Sequence, residues 1–292
     1  MDYSIANFLL RTEGKHSDIA ACGLKGFRVF EVEYKPDVEP TMLLRMECDI
    51  DEASYPDKRV VHRFDFEQQY ATGELIRYAS GYIFAMHREN EHYLLVKEDG
   101  SSVVESNLGL VERANPSLVR FGIWIMFGIV MAPLGGILIH SSVIIKDGGA
   151  VLCLGESGTG KSTHTRLWRE NIDGSKLLND DSPVIRMVDG VATVFGSPWS
   201  GKTHYYLAES YPIRGFMRLS QAPHNKIFRL PVLRAIGALL PSCPPAFGYD
   251  DGLQDHICNT LSNMISVTPV YHLECLPNKE AAELSFSTIY GN

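Results

Sequence analysis

Length, composition and charge narrow the classes to which this chain can belong. It has 292 residues, of which 45% are hydrophobic and 21% charged, as in soluble globular proteins of about two domains. Collagen-like, fibrous and wholly disordered classes are excluded. The 27 basic residues against 35 acidic ones give a formal charge of -8, which argues against a general nucleic-acid coat.

The cysteines and the N-terminus indicate a cytoplasmic protein. The six cysteines include no C-x-x-C pair, and the ten histidines include no H-E-x-x-H, so we expect reduced thiols and no zinc site. Residues 1–18 lack the basic and long apolar regions of a signal peptide. We therefore expect a cytoplasmic location, with neither nucleic acid nor membrane as a partner.

Residues 1–115 predict a β-rich domain. Short, loosely alternating segments separated by turn residues are typical of strands, and five such segments are RVFEVEY, TMLLRMECDI, RVVHRFDF, YIFAMHR and HYLLVKE. This half contains no catalytic motif, so its expected role is to bind a partner or the acceptor. The run VERANPS marks the predicted boundary, with residues 116–292 forming the second domain.

An uncharged stretch, residues 121–139, can be interpreted in two ways. Its length and composition fit a membrane span. However, Asn115 and Pro116 form a good helix start, and Pro133 followed by two glycines interrupts the stretch. We predict a buried core helix followed by a strand, with a membrane span as the alternative.

A hairpin follows. Residues 137–145 predict a strand, Asp147 and Gly148 a type I′ turn, and residues 150–154 the returning strand. Counting back from that turn places His140 opposite Gly155. This predicts a role for His140 at the site that begins with Gly155.

The motif G-x-x-x-x-G-K-[ST] spans Gly155–Ser162, here called the glycine loop, between the returning strand and an amphipathic helix pattern. Glycines let successive N–H groups face an anion, and the helix N-terminus adds its dipole. Lys161 would then reach the β- and γ-phosphates, and the Ser162 hydroxyl would hold Mg²⁺. The predicted nucleotide-binding residues are Gly155, Glu156, Ser157, Gly158, Thr159, Gly160, Lys161, Ser162 and Thr163.

The same motif recurs at Gly196–Thr203, here called the second copy. Pro198 has no N–H to donate, and the sequence that follows is a poor helix start, so we predict no second phosphate site. Two interpretations stay open, a substrate loop with its lysine near the phosphates and an ordinary surface turn. The residues concerned are Trp199, Ser200, Gly201 and Lys202.

Two adjacent acids, Asp180 and Asp181, follow the glycine loop and are here called the acid pair. Transfer of a phosphoryl group to a hydroxyl needs a carboxylate for the metal and one for the acceptor's proton. Further on, a basic run predicts either a grip for an anionic substrate or a solvated face. The run comprises Arg214, Arg218, Asn225, Lys226 and Arg229.

Together, IHSSVI with His140, GESGTGKS and LLNDD resemble the HPr kinase/phosphorylase family and the related ATP-dependent phosphoenolpyruvate carboxykinases. The resemblance implies an α/β fold in which the second half is a P-loop kinase domain with a mixed sheet. It also implies ATP and Mg²⁺ as cofactors and a homo-oligomer. By the same resemblance Asp180 accepts the proton of a serine, Asp181 lies near the metal, and His140 and Lys161 assist catalysis.

These observations predict a Mg²⁺-dependent kinase. It would transfer the γ-phosphate of ATP to a hydroxyl, foremost that of a serine, on a protein, peptide or small molecule. The alternative is a nucleotide-binding sensor or assembly module without turnover, which has no need of a proton acceptor. The lack of an N-K-x-D guanine-reading motif favours ATP.

Overall fold

The computed structural model describes residues 1–201 and 205–291. Within that part the chain is a mixed α/β protein with two mixed sheets. It divides into two compact units, residues 1–134 with 246–253 and residues 135–245 with 254–292. Short 3-10 helices lie at Lys25–Phe30, Glu52–Ser54, Glu67–Gln69, Ala132–Leu134, Leu240–Ser242 and Pro245–Tyr249.

The first unit contains a sheet that has nine strands within the described residues, in the order β3-β1-β2-β4-β9-β8-β7-β6-β5. Its strands and helix are β1 (Asp2–Ile5), β2 (Phe8–Glu13), β3 (Glu31–Val32), β4 (Met42–Arg45), β5 (Arg59–Phe66), β6 (Ala71–Tyr78), β7 (Gly81–Arg88), β8 (Glu91–Glu98), β9 (Val103–Ser106) and α1 (Pro116–Met131). Strand β4 pairs in parallel with both β2 and β9, which makes the sheet mixed.

The alternating segments of the first half predict most of this sheet. Strands β4, β5, β7 and β8 lie within or next to their predicted segments, whereas β1, β2, β6 and β9 match none of the five segments. The predicted strand RVFEVEY is wrong in its first half, where Lys25–Phe30 is a 3-10 helix. Phe27 and Phe30 are both buried there, and residues three apart share one side of a 3-10 helix.

Helix α1 is capped as predicted, because the Asn115 side chain accepts hydrogen bonds from the backbone N–H groups of the first turn. It packs on strands β7 and β8, where a Cβ on Gly122 would lie only 2.9 Å from Leu95 Cδ1 and 3.1 Å from Met86 Cε. Within the described residues, 116–134 are long and apolar enough to span a membrane, but 67% of the apolar window is buried inside the protein. The helix thus serves as a core helix of the first unit. For that reason the compact unit ends at Leu134 and not at the predicted residue 115.

The second unit is built on a sheet of order β10-β14-β15-β16-β12-β11-β13, to which β18 adds beside β16 and β17 beside β18. Its strands and helices are β10 (Gly136–Leu138), β11 (Ser141–Lys146), β12 (Gly149–Leu154), α2 (Lys161–Asn171), β13 (Lys176–Asp181), β14 (Val184–Val188), β15 (Val191–Phe195), β16 (Ser210–Gln221), β17 (Lys226–Arg229), α3 (Val232–Leu239), β18 (Val270–Cys275) and α5 (Lys279–Tyr290). Helix α4 (Asp251–Val267) starts in the segment that belongs to the first unit.

Four strands of this sheet end at one edge. Strand β16 is parallel to both β12 and β18, and β11 is antiparallel to both β12 and β13. Strands β12, β13, β16 and β18 therefore run in one direction, so their carboxyl ends meet. Such an edge is where α/β sheets bind ligands.

The predicted hairpin is confirmed. Asp147 and Gly148 have φ values of +46° and +72°, as a type I′ turn requires, and the ladder runs from Lys146 opposite Gly149 to Ser141 opposite Leu154.

The continuous strand predicted over residues 137–145 is wrong, because the chain changes partners at Ile139 and His140. Strand β10 pairs with β14, whereas β11 pairs with β12 and β13. Between them the Ile139 N–H donates to the Pro183 carbonyl at 3.0 Å, and the His140 N–H donates to the Ser242 carbonyl at 2.7 Å. His140 thus lies one residue beyond the last pair of the ladder, Ser141 opposite Leu154, and the same register continued would place it opposite Gly155.

Candidate active site

The glycine loop connects β12 to α2, in the strand–loop–helix order that the motif predicts. Gly155, Gly158 and Gly160 have φ values of +146°, +82° and +103°, which residues other than glycine rarely adopt. A Cβ at Gly158 or Gly160 would meet nothing within 4 Å. Backbone angle, and not lack of space, is therefore the reason for glycine at these two positions.

Lys161 lies at the centre of the loop. Its side chain is almost fully buried, and Nζ donates to the Gly155 carbonyl at 2.7 Å and the Glu156 carbonyl at 3.0 Å. Burial lowers the pKa of Lys161, against the opposing effect of the two acids Asp181 and Asp180. The loop thus holds an ammonium group that can move from its own carbonyls to a phosphate.

Ser162 and Asp180 are in direct contact. Ser162 Oγ donates to Asp180 Oδ1 at 3.0 Å. Asp180 lies opposite Ser142 in the ladder, and Ser142 Oγ is 3.0 Å from Thr165 Oγ1 on α2. Asp180 therefore lies on the face of the sheet that α2 covers, beside the hydroxyl that the motif assigns to Mg²⁺.

Asp181, the last residue of β13, points to the other face because neighbouring strand residues alternate. Its Oδ1 lies 3.9 Å from His140 Nε2, which is within ion-pair distance but beyond hydrogen-bonding distance. Its φ is +155°, an angle that non-glycine residues rarely adopt and that persists only where the surroundings hold it.

His140 is partly exposed, with 45% of its side chain accessible. Burial lowers its pKa, and the charge of Lys161 lowers it further, while Asp181 and Asp180 act in the opposite direction. The imidazole is therefore neutral at pH 7 and can either accept or donate a hydrogen bond.

The described part of the second copy, Gly196–Gly201, is largely buried, which argues against its interpretation as an ordinary surface turn. Trp199 is 2% exposed, and Ser197 and Ser200 are fully buried. Ser197 Oγ donates to the Ser182 carbonyl at 2.6 Å, and the Gly201 N–H donates to the Asp180 carbonyl at 2.6 Å. The segment therefore holds the backbone of the acid pair. Lys202 lies outside the described residues.

The donors present fit Mg²⁺ shared with a nucleotide. Ser162 Oγ and Asp180 Oδ1 are hard oxygen ligands, and Mg²⁺ usually takes one or two carboxylates together with phosphate oxygens and waters. Across residues 1–201 and 205–291 no group of three or more His, Cys, Asp or Glu side chains could hold a metal by itself.

Two residues of β16 border the loop, and the sequence analysis named only one of them, Arg218. Gln221 Nε2 donates to the Gly158 carbonyl at 3.2 Å. Arg218 NH2 lies 3.8 Å from Glu156 Oε1. Arg218 is one of five residues in the predicted basic run. The pairing of β16 with β12, which places Arg218 opposite Leu154, is what shows that it lies beside the glycine loop.

No family model matches this chain, and no curated protein matches it either. Among solved structures it is similar to the Hpr(Ser) kinase/phosphatase from Coxiella burnetii, with 11% sequence identity and a TM-score of 0.31. The match covers 52% of this chain and 87% of that one. A likeness at this level says nothing about function. Any inference about function therefore rests on the geometry of the site.

Proposed function

We propose that the chain is a Mg²⁺-dependent kinase that transfers the γ-phosphate of ATP to a hydroxyl, foremost a serine hydroxyl, of a protein, peptide or small molecule. The observation that carries this proposal is the placement of the acid pair at the end of β13. Asp180 touches Ser162 beside the glycine loop, while Asp181 lies on the opposite face near His140. One carboxylate is thus available for a metal and a second for the acceptor's proton.

Within this proposal the glycine loop and Lys161 bind the phosphates. The contact with Ser162 favours Asp180 as the acid on the metal side, and the position of Asp181 beside His140, on the opposite face, favours Asp181 as the proton acceptor. This is the reverse of the roles that the family resemblance implies for the two acids. Mg²⁺, when bound, would neutralise charge that develops on the phosphate oxygens.

The transfer itself balances with these groups. The acceptor oxygen forms a bond to the γ-phosphorus as the bond from that phosphorus to the bridging oxygen breaks, and ADP leaves with the electron pair. The hydroxyl proton passes to the Asp181 carboxylate, and neutral His140 can orient that carboxylate or the incoming hydroxyl. The charge that builds up on the transferred group meets Lys161.

The test is a transfer assay with γ-labelled ATP, Mg²⁺ and a panel of serine-bearing proteins, peptides and small molecules, using the full chain. Label should appear on an acceptor with the wild type and with the control Asp173→Asn, whose carboxylate is exposed after α2. It should be lost with Asp181→Asn. Nucleotide binding with no transfer to any acceptor would instead support the alternative, a sensor or assembly module.

We assign the choice of partner or acceptor to the first unit. Two of its cavities, of about 360 Å³ and 560 Å³, are both lined by the segment Val111–Arg113. Arg113 is exposed there and offers a guanidinium to an incoming chain. With an acceptor from the panel, Arg113→Ala should raise KM and leave kcat unchanged, the pattern of lost uniform binding; an unchanged KM contradicts this assignment.

A further inference from the structure

Strand β16 brings one arginine to the glycine loop. It runs parallel to β12, and Arg218 lies opposite Leu154, the last residue before the loop. Its neighbours Met217 and Leu219 belong to the core on the α2 side of the sheet. Arg218 therefore points to the opposite face, which is also the face of Asp181.

The Arg218 guanidinium makes a hydrogen bond to α3 and a longer contact with the glycine loop. NH1 donates to the Ala238 carbonyl at 3.1 Å, and NH2 lies 3.8 Å from Glu156 Oε1. Only 21% of the Arg218 side chain is exposed, against 82% of the Glu156 side chain. An ion pair with so exposed a carboxylate contributes little, so a phosphate oxygen can replace it.

Arg218 and Lys161 are close enough to affect each other. Burial lowers the pKa of Lys161, and the charge of Arg218 adds to that effect. Two cations directed at one loop repel each other until an anion lies between them. An arginine fork also suits phosphate oxygens, because it can donate two parallel hydrogen bonds.

We propose that Arg218 is a second cationic ligand of the nucleotide, which leaves Glu156 to bind the same β- and γ-phosphates that Lys161 reaches. Glu156 then acts as a stand-in anion that keeps Arg218 beside the loop until a nucleotide binds. The consequence is a preference for nucleotides with two or three phosphates over nucleoside monophosphates. This inference rests on the phosphate-binding part of the proposed function but does not require turnover.

The test is equilibrium binding of ATP and of AMP, each with Mg²⁺, to the full chain by calorimetry. Arg218→Met should weaken ATP about 10- to 100-fold, the scale of a hydrogen bond to a charged group, and leave AMP unchanged. Arg218→Lys keeps the positive charge but loses the two-pronged guanidinium. Its affinity for ATP should lie between those of the wild type and Arg218→Met. This variant also keeps the test valid if Arg218→Met fails to fold.

Two further variants serve as comparisons. Arg214 lies on the same strand but beside Gly149, at the far end of β12, so Arg214→Met should bind ATP as the wild type does. Glu156→Gln removes the competing carboxylate and should tighten ATP by up to about fivefold, the scale of an exposed ion pair.

The outcomes separate this inference from the proposed function. ATP binding by Arg218→Met and Arg218→Lys equal to that of the wild type overturns the role of Arg218 and leaves the kinase proposal standing. Binding that depends on Arg218 without transfer to any acceptor supports Arg218 and overturns the kinase. A wild type that binds no nucleotide overturns both.

Discussion

The glycine loop and the second copy share one residue pattern, but their structures differ. The first lies between a strand and a helix, with three glycines at positive φ. In the second, Gly196 and Gly201 do not have positive φ, and the residues between them are buried. The comparison covers the described part of the second copy, which ends at Gly201.

The difference shows that one motif occurs here with two backbone conformations, of which only that of the glycine loop has the angles that an anion nest requires. N–H groups of the second copy are already used, since Gly196 donates to the Glu209 carbonyl and Gly201 to the Asp180 carbonyl. The glycine loop turns its backbone through angles that produce an anion nest. The second copy therefore holds the backbone of the acid pair through the Gly201 N–H, whereas the glycine loop contacts an acid side chain through Ser162.

The largest expected effect concerns the acid pair between these two segments. Asp181→Asn should lower phosphoryl transfer by roughly 10²–10⁴-fold, the usual scale for general base catalysis, with ATP binding retained. Asp180→Asn should instead weaken metal binding, measured with Mn²⁺ by electron paramagnetic resonance in the presence of ATP. Retained Mn²⁺ binding in Asp180→Asn, with its loss in Asp181→Asn, would restore the roles implied by the family resemblance.

Replacing the lysine of each segment by alanine, one at a time, tests the comparison itself. Lys161→Ala should weaken ATP roughly 10²- to 10³-fold, the scale for removing a directed donor to developing charge, and Lys202→Ala should bind ATP as the wild type does. Both are measured by calorimetry. The opposite result would make the second copy the phosphate site.

The helix after the glycine loop carries a pH-dependent marker of its own. His164 is 3% exposed, its Nε2 lies 3.1 Å from Ser285 Oγ, and burial lowers its pKa to about 4. Between the ordinary histidine pKa of about 6.5 and pH 4, the His164 imidazole is protonated in the unfolded chain but neutral in the folded chain. Stability should therefore fall as the pH falls through this window, by about 3 kcal/mol in total.

Chemical unfolding at several pH values measures this slope. His164→Gln should remove it, whereas the control His256→Gln, at an exposed position of α4, should keep it. An unchanged slope in His164→Gln would show that the helix does not depend on a neutral buried imidazole.

The smallest expected effects distinguish the reasons for glycine in the two segments. Gly158→Ala meets open space but keeps φ at +82°, so it should cost about 1–2 kcal/mol. Gly196→Ala would make Cβ overlap with the Leu207 carbonyl oxygen, so it should cost about 1–3 kcal/mol or more through overpacking. Only Gly158→Ala should weaken ATP binding. An equal loss of ATP affinity in both variants would contradict the distinction between the two segments. Denaturant unfolding and calorimetry measure the two effects.

Local patterns in the sequence predicted the local parts of this fold. The alternation in RVVHRFDF gives β5, the Asn115–Pro116 pair gives the start of α1, and the Asp147–Gly148 turn gives the register up to Ser141. Each of these depends on residues close together in the chain. The motif spacing likewise selected the glycine loop and the acid pair.

The rest depends on pairing between distant segments. The break at His140 follows from its hydrogen bond to the Ser242 carbonyl, and the burial of the second copy follows from its contacts with the end of β13. The position of Arg218 needs the register of β16 on β12. A single sequence gives no signal for any of these pairings.

Hydrogen exchange of backbone amides with and without ATP and Mg²⁺ tests the central claim, that the glycine loop binds the nucleotide. We predict slower exchange in Gly155–Ser162 and at the acid pair. The described part of the second copy, already hydrogen-bonded, and the first unit should exchange as before. Protection confined to Gly196–Gly201 or to the first unit, with the glycine loop unaffected, would contradict the claim.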